Sequence, residues 1–468
     1  MLSSALGVAL GLLASPPPVS LPQPRPGGQD GGDAPQSVLV RAERLYVRPG
    51  EVIEGGAVLV QDGRIVAVGK GLTAPEGARE LEGRVVCAGF VDAWSVFGLE
   101  PDSATDERTD MATRTVDGVD PYLDRRLKLE VLGAGVTGYR LQVGTNARSA
   151  GIGAFVRNHP DLPPEQAVLR DDCCVSASVG LTRGGRAQDV FDRLGEVDRL
   201  VGSLNDAKGY LEDGIEYRYE LEAWQKAIAE KEKELADGFK KAQKDREKDE
   251  AEAKEKGKEF KDKKYKEDKK PKPPRYDAEK EVLARVIDGE LPLVVEAHRA
   301  AELRALLEGT ASFDRLRLVV AGGTEALAVA EQLAERRVPV IVWPAPHGER
   351  LSNGQPRPPE YAEADPALAA QLEAAGVEVL LGSGGGFPSG SGELPLMASL
   401  AVGYGLDPTA ALAALTTRPA RVLDVADSVG TLERGKQADL LVLDGEPLAS
   451  TTRVRFVICA GQVVVENE

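Results

Sequence analysis

Histidine is scarce in this sequence, because a chain of 468 residues contains three, His159, His298 and His347. Zinc sites take at least three protein ligands, drawn mainly from histidine, cysteine and carboxylate side chains. His159 precedes a proline, and His347 lies in a turn-rich segment. The sequence therefore does not favour a metal centre built on histidine.

Cysteine is also rare, with Cys87, Cys173, Cys174 and Cys459 as the four occurrences. Four cysteines do not make a disulfide framework in a chain of this length. Cys173 and Cys174 are adjacent, which normally prevents a bridge, so we expect two buried thiols. Spacing indicates no histidine or asparagine partner that would make Cys173 a nucleophile. A Cys87–Cys459 bridge is a hypothesis for an exported chain, and it requires Cα atoms within about 7 Å.

The chain has no excess of basic charge and no long apolar run. Its 58 Lys and Arg against 75 Asp and Glu give a net charge of -17, which argues against a nucleic-acid surface and against acidic membranes. The apolar run at residues 5–14 is too short to span a bilayer. A Pro/Gly-rich stretch follows at residues 16–32, so residues 1–36 are predicted to be a signal peptide and linker, and the protein to be exported. The alternatives are a disordered tail or a start site placed too far upstream, since no Lys or Arg precedes the run.

Short β patterns at both ends enclose an alternation of apolar runs and helical segments. Residues 57–60 and 64–69 flank an Asp-Gly turn and predict a hairpin, and residues 455–459 and 462–465 predict two late strands. The alternation between the ends is typical of an α/β barrel. The eight candidate barrel strands are one ending at Trp94 and the runs 136–143, 152–156, 175–179, 291–297, 316–321, 338–342 and 377–381.

A charged segment at residues 216–276 interrupts this alternation. Leu221, Trp224, Ile228, Leu235 and Phe239 fall at spacings of three, four and seven and make one apolar stripe. Beyond Phe239 the stripe fades into Lys- and Glu-rich sequence. We therefore predict a helical arm between barrel strands four and five, docked at its base and solvated outward. The alternative is a partner-binding arm.

Two motifs resemble those of the amidohydrolase superfamily. Residues 85–96 read V-V-C-A-G-F-V-D-A-W-S-V, similar to the first barrel strand V-x-P-G-F-V-D-A-H-x-H of that superfamily. Residues 430–444 read G-T-L-E-R-G-K-Q-A-D-L-L-V-L-D, similar to its closing motif. The resemblance, strongest to imidazolonepropionase-like and prolidase-like members, implies a (β/α)8 TIM-like barrel with a small β-sandwich built from both chain ends. The implied divisions are residues 37–84 and 425–468 for the β-sandwich and 85–424 for the barrel, with the 216–276 insertion.

The same resemblance implies where metal ligands would stand. Such proteins place two histidines on strand one, one each on strands five and six, and an aspartate after strand eight that also serves as base. The corresponding positions here are Trp94, Val96, Glu296, Gly322 and Gly384. His298 is retained, and we expect it to face away from Glu296. A set of Asp92, Glu296 and His298 is the alternative ligand group, which strand alternation opposes, so no metal cofactor is predicted.

The resemblance with replaced ligands leads to two functional hypotheses. The first is a noncatalytic binding or scaffold subunit, paired as a homodimer or with an active relative, as barrels of this superfamily commonly form dimers. The second is a metal-dependent hydrolase acting on non-peptide C–N bonds or dipeptides through a divergent site. The candidate ligand-binding mouth consists of Trp94, Glu296, His298, Arg299, Gly322, Ser383 and Gly384.

Overall fold

The structure is a computed structural model that describes residues 37–99, 110–120, 122–142, 149–180, 189–255, 269–343, 365–384 and 388–467, with backbone alone from 231 to 255. The segment predicted to be a signal peptide and linker lies outside these ranges. The strands are β1 (Val38–Arg48), β2 (Glu51–Gln61), β3 (Arg64–Gly69), β4 (Arg79–Ala88), β5 (Phe90–Ser95), β6 (Val136–Leu141), β7 (Ser149–Arg157), β8 (Val168–Ser178), β9 (Leu293–Ala297), β10 (Leu318–Gly322), β11 (Val340–Val342), β12 (Val379–Leu381), β13 (Leu440–Leu443), β14 (Val454–Cys459) and β15 (Gln462–Glu466).

The α-helices all lie between β5 and β13 in the sequence. They are α1 (Arg125–Gly133), α2 (Pro164–Ala167), α3 (Val190–Glu255), α4 (Ala278–Ile287), α5 (Ala300–Gly309), α6 (Ala330–Glu335), α7 (Leu368–Ala374), α8 (Leu394–Gly403), α9 (Pro408–Ala414) and α10 (Thr417–Val422). Among the helices of the described residues, none is both long enough and apolar enough to cross a membrane.

The two ends of the chain form one seven-stranded sheet, in the order β15-β14-β13-β4-β1-β2-β3. The predicted hairpin is present, because β2 pairs antiparallel with β3 through Asp62 and Gly63, both at positive φ. The edge strand β3 approaches the segment that precedes β13, because the backbone N–H of Ile65 donates to the carbonyl of Lys436 at 2.9 Å. The sheet thus folds back around its own apolar core, as expected for the small β domain.

The hypothesis of a Cys87–Cys459 bridge is wrong. Strand β13 lies between β4, which carries Cys87, and β14, which carries Cys459. Two inter-strand spacings amount to roughly 10 Å, which exceeds the reach of a disulfide. Both thiols are free and buried.

The second sheet contains all eight predicted barrel strands, β5 to β12, in chain order. The first and last strands meet through Ser383, whose backbone N donates to Asp92 Oδ1 at 2.9 Å. The chain must also pass very close at Gly382, where a Cβ atom would lie 2.8 Å from the Cβ of Trp94. The eight strands therefore form a nearly closed barrel, and the predicted TIM-like fold is confirmed.

One strand departs from the all-parallel pattern that the sequence predicted. Strand β7 runs antiparallel to both β6 and β8, whereas the other neighbouring pairs of this sheet are parallel. Seven residues separate β6 from β7, and a parallel crossover needs a dozen or more. The short connection forces a reversal of direction, which an apolar strand pattern alone does not reveal.

The charged arm belongs to a helix that begins much earlier than predicted. Helix α3 starts at Val190 and runs for 66 residues, about 100 Å at the usual rise per residue. Its base packs against α4 and α5 through the buried side chains of Val197, Leu200, Leu204 and Ala207. Of the predicted stripe, Leu221, Trp224 and Ile228 are half-buried, while Leu235 and Phe239 lie where the backbone alone is described.

Candidate functional site

The carboxyl ends of the parallel strands share one end of the barrel, which is where barrels of this type build their sites. Trp94 lies near the end of β5 and Glu296 near the end of β9. Gly322 closes β10, and Gly384 follows β12. We call this end the mouth; of the residues predicted to form it, Trp94, Glu296, His298, Gly322, Ser383 and Gly384 are grouped under that name from here on, and Arg299 is described separately.

Trp94 fills the inside of the barrel at the mouth. Its side chain is 2% exposed, and its ring centroid lies 5.6 Å from that of Trp343. The guanidinium carbon of Arg140 lies 4.7 Å from the Trp94 ring centroid. Aromatic pairs and cation–π contacts at such distances are stabilising. A bulky, well-packed indole therefore occupies a position where the resemblance implies a metal-binding histidine.

Val96, the second replaced position, directly follows β5 and is also buried, at 3% exposed. It belongs to the main apolar core, together with Phe97 and Leu141. An isopropyl group offers no lone pair to a metal ion. Both first-strand positions therefore contribute to packing.

The carboxylate of Asp92 ties the first strand to the segment after the last one. Its Oδ1 accepts the backbone N–H groups of Trp94 at 3.0 Å and of Ser383 at 2.9 Å. Its Oδ2 accepts the hydroxyl of Ser391 at 2.6 Å, and Ser391 Oγ lies 2.8 Å from Ser95 Oγ. Burial raises the pKa of Asp92, and the hydrogen bonds from Ser383 and Ser391 oppose that rise. The oxygens of this carboxylate are thus used in joining strands.

His298 lies in the mouth beside Glu296, so the expectation that it faces away is wrong. His298 Nε2 is 3.5 Å from Glu296 Oε1, and both side chains are almost fully buried. Residues two apart in an extended chain share a face, since strand side chains alternate with period two. The second ring nitrogen, Nδ1, lies 2.8 Å from Thr324 Oγ1.

The ring of His298 also occupies the space that Gly322 leaves open. A Cβ atom at Gly322 would lie 2.2 Å from His298 Cε1, and the φ angle of +84° at Gly322 further favours glycine there. Gly384, at φ +81°, lies beneath Trp343 in the same way, with a Cβ atom 3.0 Å from Trp343 Cγ. Both glycines at replaced ligand positions therefore accommodate large rings from neighbouring strands.

Ser383 and Arg299 have different roles from the ligand contacts predicted for them. The hydroxyl of Ser383 donates to the carbonyl of Trp94 at 3.1 Å, which adds to its backbone bond with Asp92. Arg299 precedes α5, and its backbone N donates to Glu302 Oε2 at 3.2 Å. Ser383 thus joins the mouth as a structural group, whereas Arg299 caps a helix.

Two residues of the site were missed at the level of sequence, Arg140 and Trp343. Arg140 is fully buried inside the barrel, although it interrupts an otherwise uncharged strand, and that interruption was the available signal. Trp343 follows the short strand β11, at the position where barrel loops begin. Its ring contacts with Trp94 and His298 depend on the order of the strands in the sheet, which a local sequence pattern does not reveal.

The residues of the mouth do not fit the metal centre that the resemblance implies. Within the described ranges, His, Cys, Asp and Glu side chains form no group of three or more that could hold a metal ion. Glu296 and His298 are in contact, but the oxygens of Asp92 already accept three hydrogen bonds. His347 lies outside the described residues. The alternative ligand set of Asp92, Glu296 and His298 is therefore not assembled.

The remaining histidine, His159, follows the C-terminal end of β7. Because β7 runs antiparallel to its neighbours, that end lies away from the mouth. Its Nδ1 accepts the backbone N–H groups of Asp161 at 3.2 Å and Leu162 at 3.1 Å. Burial lowers the pKa of this imidazole, with a smaller opposing effect of Asp161. His159 therefore stabilises a turn.

Comparison with known proteins agrees with the architecture. Residues 292–465 match the Amidohydrolase family. An amidohydrolase structure from Thermotoga maritima MSB8 is similar at 24% identity and TM-score 0.68, covering 92% of this chain and 100% of that chain. A Xaa-Pro dipeptidase with bound methionine is similar at 16% identity and TM-score 0.52, covering 92% and 100%.

A structure of molinate hydrolase is similar at 16% identity and TM-score 0.51, covering 92% of this chain and 95% of that one. A search of curated proteins finds no match. At these identities the structural likeness shows the fold, while the match over residues 292–465 rests on sequence. The sequence match over residues 292–465 and the shared barrel with its small β domain together support a relationship to the amidohydrolase superfamily.

Proposed function

We propose that this protein is a noncatalytic member of the superfamily that acts as a binding or scaffold subunit. The observation that carries the proposal is the buried Trp94, which contacts both Trp343 and Arg140 and stands at a first-strand ligand position. Metal-assisted hydrolysis needs an ion that acidifies a bound water and polarises the scissile carbonyl. The buried indole of Trp94 supplies no ligand for such an ion.

The other replaced positions support the same proposal. His298 fills the space above Gly322, and Trp343 covers Gly384. A general base must lie within hydrogen-bond reach of the proton that it removes, and a glycine at the position of the family's aspartate has no such group. At the ligand positions of β5, β10 and β12, the reactive side chains are therefore replaced by a packed indole or by glycines. Each of these glycines makes room for an aromatic ring from the neighbouring strand.

A scaffold role is supported by the long helix α3. Four buried apolar side chains anchor its base to the barrel, and the helix continues for many turns beyond that anchor. Such an arrangement presents an extended helical surface from a rigid support. The expected partner is a second copy of this chain or an active relative.

The noncatalytic proposal is tested by adding zinc or manganese to purified protein, removing unbound metal and measuring the bound metal by elemental analysis. We expect no stoichiometric ion and no hydrolysis of amides, imides or dipeptides. One tightly held ion that is lost in Glu296→Gln, together with turnover, would establish the alternative hydrolase. The matched control is Glu290→Gln, which removes an exposed carboxylate that pairs with Arg285.

The scaffold proposal is tested separately by sedimentation of the purified chain over a range of concentrations. A dimer that is weakened by shortening α3 beyond residue 239 would support a role for the arm in pairing. A dimer of unchanged strength in the shortened protein would assign pairing to the barrel. A monomer at every concentration would exclude the homodimer. The partner expected under this proposal would then be a different chain.

A further inference from the structure

The interior of the barrel contains a charged side chain, Arg140, that forms no ion pair with a carboxylate among the residues that the structure describes. Arg140 is 0% exposed, and a buried guanidinium is costly unless a negative charge and hydrogen bonds compensate it. Its Nη1 donates to the carbonyl of Ala93 at 3.4 Å, and its Nη2 donates to the hydroxyl of Ser176. Neither of these two acceptors is charged.

The third donor of Arg140 points to a sulfur atom. Arg140 Nε lies 2.9 Å from Cys174 Sγ, which is short for a hydrogen bond to sulfur. Cys174 is itself 0% exposed, so the contact is not screened by water. Cys174 Sγ also has the thiol of Cys173 at 3.7 Å and the hydroxyl of Ser176 at 4.0 Å.

From this geometry we propose that Cys174 is a thiolate and serves as the counter-ion of Arg140. The cysteine carries the negative charge that the buried guanidinium requires, and the neighbouring thiol and hydroxyl donate to its sulfur. This pair lies directly under the mouth, since Arg140 also stacks on Trp94. Cys174 is thus a positioning residue: through Arg140, it fixes the indole that fills the barrel.

The surrounding charges favour the same ionisation state. Burial by itself raises the pKa of Cys174, but the hydrogen bond from Cys173 and the charge of Arg140 outweigh it and lower the pKa. Cys173 behaves oppositely, because burial and the adjacent sulfur raise its pKa. The charge of Arg170 opposes that rise in Cys173, as the charge of Arg140 does. One thiolate and one thiol therefore share this part of the barrel.

The pH dependence follows from the lowered pKa of Cys174. A thiol in the unfolded chain has a pKa of about 8.5, above that of Cys174 in the folded chain. The stabilisation from the pair is therefore complete above the unfolded value and is lost as the pH falls through the folded value. Burial also raises the pKa of Cys87 to about 12 and that of Cys459 well above its usual value. Cys174 is thus the one described cysteine expected to ionise at neutral pH.

The experiment is a pH titration of the thiolate absorption band in the ultraviolet, on the whole protein. We expect one thiolate at pH 7.5 that titrates with a midpoint at least one pH unit below about 8.5. Cys174→Ser should abolish the band, while the matched variants Cys173→Ser and Cys459→Ser should retain it. A wild-type protein without thiolate absorption at pH 7.5 would overturn the proposal, as would a band that survives Cys174→Ser.

A second variant keeps the test valid if Cys174→Ser does not fold. Arg140→Met retains much of the side-chain volume and removes the charge, so the midpoint should move upward by more than one pH unit. The fluorescence of tryptophan should change with the same midpoint in the wild type, because Trp94 stacks on Arg140. An unchanged midpoint in folded Arg140→Met would show that the guanidinium does not hold the thiolate. These outcomes do not depend on whether the protein is catalytic.

Discussion

The role assigned to Asp92 leads to a sharp contrast between two substitutions. In Asp92→Ala, the backbone N–H groups of Trp94 and Ser383 lose their acceptor, and Ser391 loses one partner. An unsatisfied buried donor costs about 1–3 kcal/mol. Trp94 is fully buried and Ser383 half-buried, so the total loss should be about 3–5 kcal/mol. That is a large part of the stability of most folded proteins, about 5–15 kcal/mol.

Asp92→Asn should cost much less, about 1 kcal/mol or below. The amide oxygen can still accept both backbone N–H groups, and the amide nitrogen can donate to Ser391, which then donates to Ser95. Burial raises the pKa of Asp92 in the folded protein, so its favourable contribution is present at low pH and lost as the pH rises through the folded value. The difference in stability between wild type and Asp92→Asn should therefore shrink from pH 4 to pH 8.

The assay is urea unfolding of the wild type and both variants, with the free energy obtained from the midpoint and slope. A value for Asp92→Ala within about 1 kcal/mol of wild type would refute the role of this residue as a structural tie. Equal destabilisation by Ala and Asn would show that the charge matters more than the hydrogen bonds. A fall in bound metal with unchanged stability would identify Asp92 as a ligand instead.

Three further predictions concern the mouth and the arm. Trp94→His combined with Val96→His should remain inert toward amides, imides and dipeptides with added zinc or manganese, because members of a catalytic unit act together; metal-dependent turnover by the double variant would show that the ligand positions are misplaced. Gly322→Ala should destabilise the protein by at least about 1 kcal/mol, since the added methyl group meets the His298 ring at a positive φ; calorimetry showing an unchanged melting temperature would contradict that packing. Replacing residues 240–270 with a Gly/Ser linker should leave the melting temperature within a few degrees, because the sequence there has no apolar stripe; a loss of soluble yield would reveal packing of the arm.

Much of the fold could be predicted from the sequence, because its elements are encoded locally. Each of the eight barrel strands coincides with an apolar run, and the Asp-Gly turn at Asp62 identified its hairpin. The direction of β7 could not be predicted from such a run, since apolar content does not distinguish parallel from antiparallel neighbours. The start of α3 was misplaced because the mixed sequence after Val190 lacks the dense charge that marks the outer arm.

The site was predicted less completely, for physical reasons that differ between residues. Trp94, Gly322 and Gly384 were identified through motifs, and the structure places them at one end of the barrel. The orientation of His298 was misjudged, although the period-two alternation of a strand was sufficient to give it. Arg140 is defined by contacts with strands distant in sequence, so no local pattern indicates its sulfur partner.

The sharing of one sheet by both chain ends has a consequence for synthesis on the ribosome. Strand β4 pairs with β1 along one edge and with β13 along the other. The first residue of β13 follows Ala88 by about 350 residues. At translation rates of about 5–20 residues per second, that interval lasts roughly 20 to 70 seconds. During this time Val85, Val86, Cys87 and Ala88 form an apolar strand edge with unpaired backbone groups, the kind of edge that recruits other chains. Truncated products that end before Leu440 would keep that edge open permanently, so premature termination of this chain should yield aggregates rather than a folded barrel.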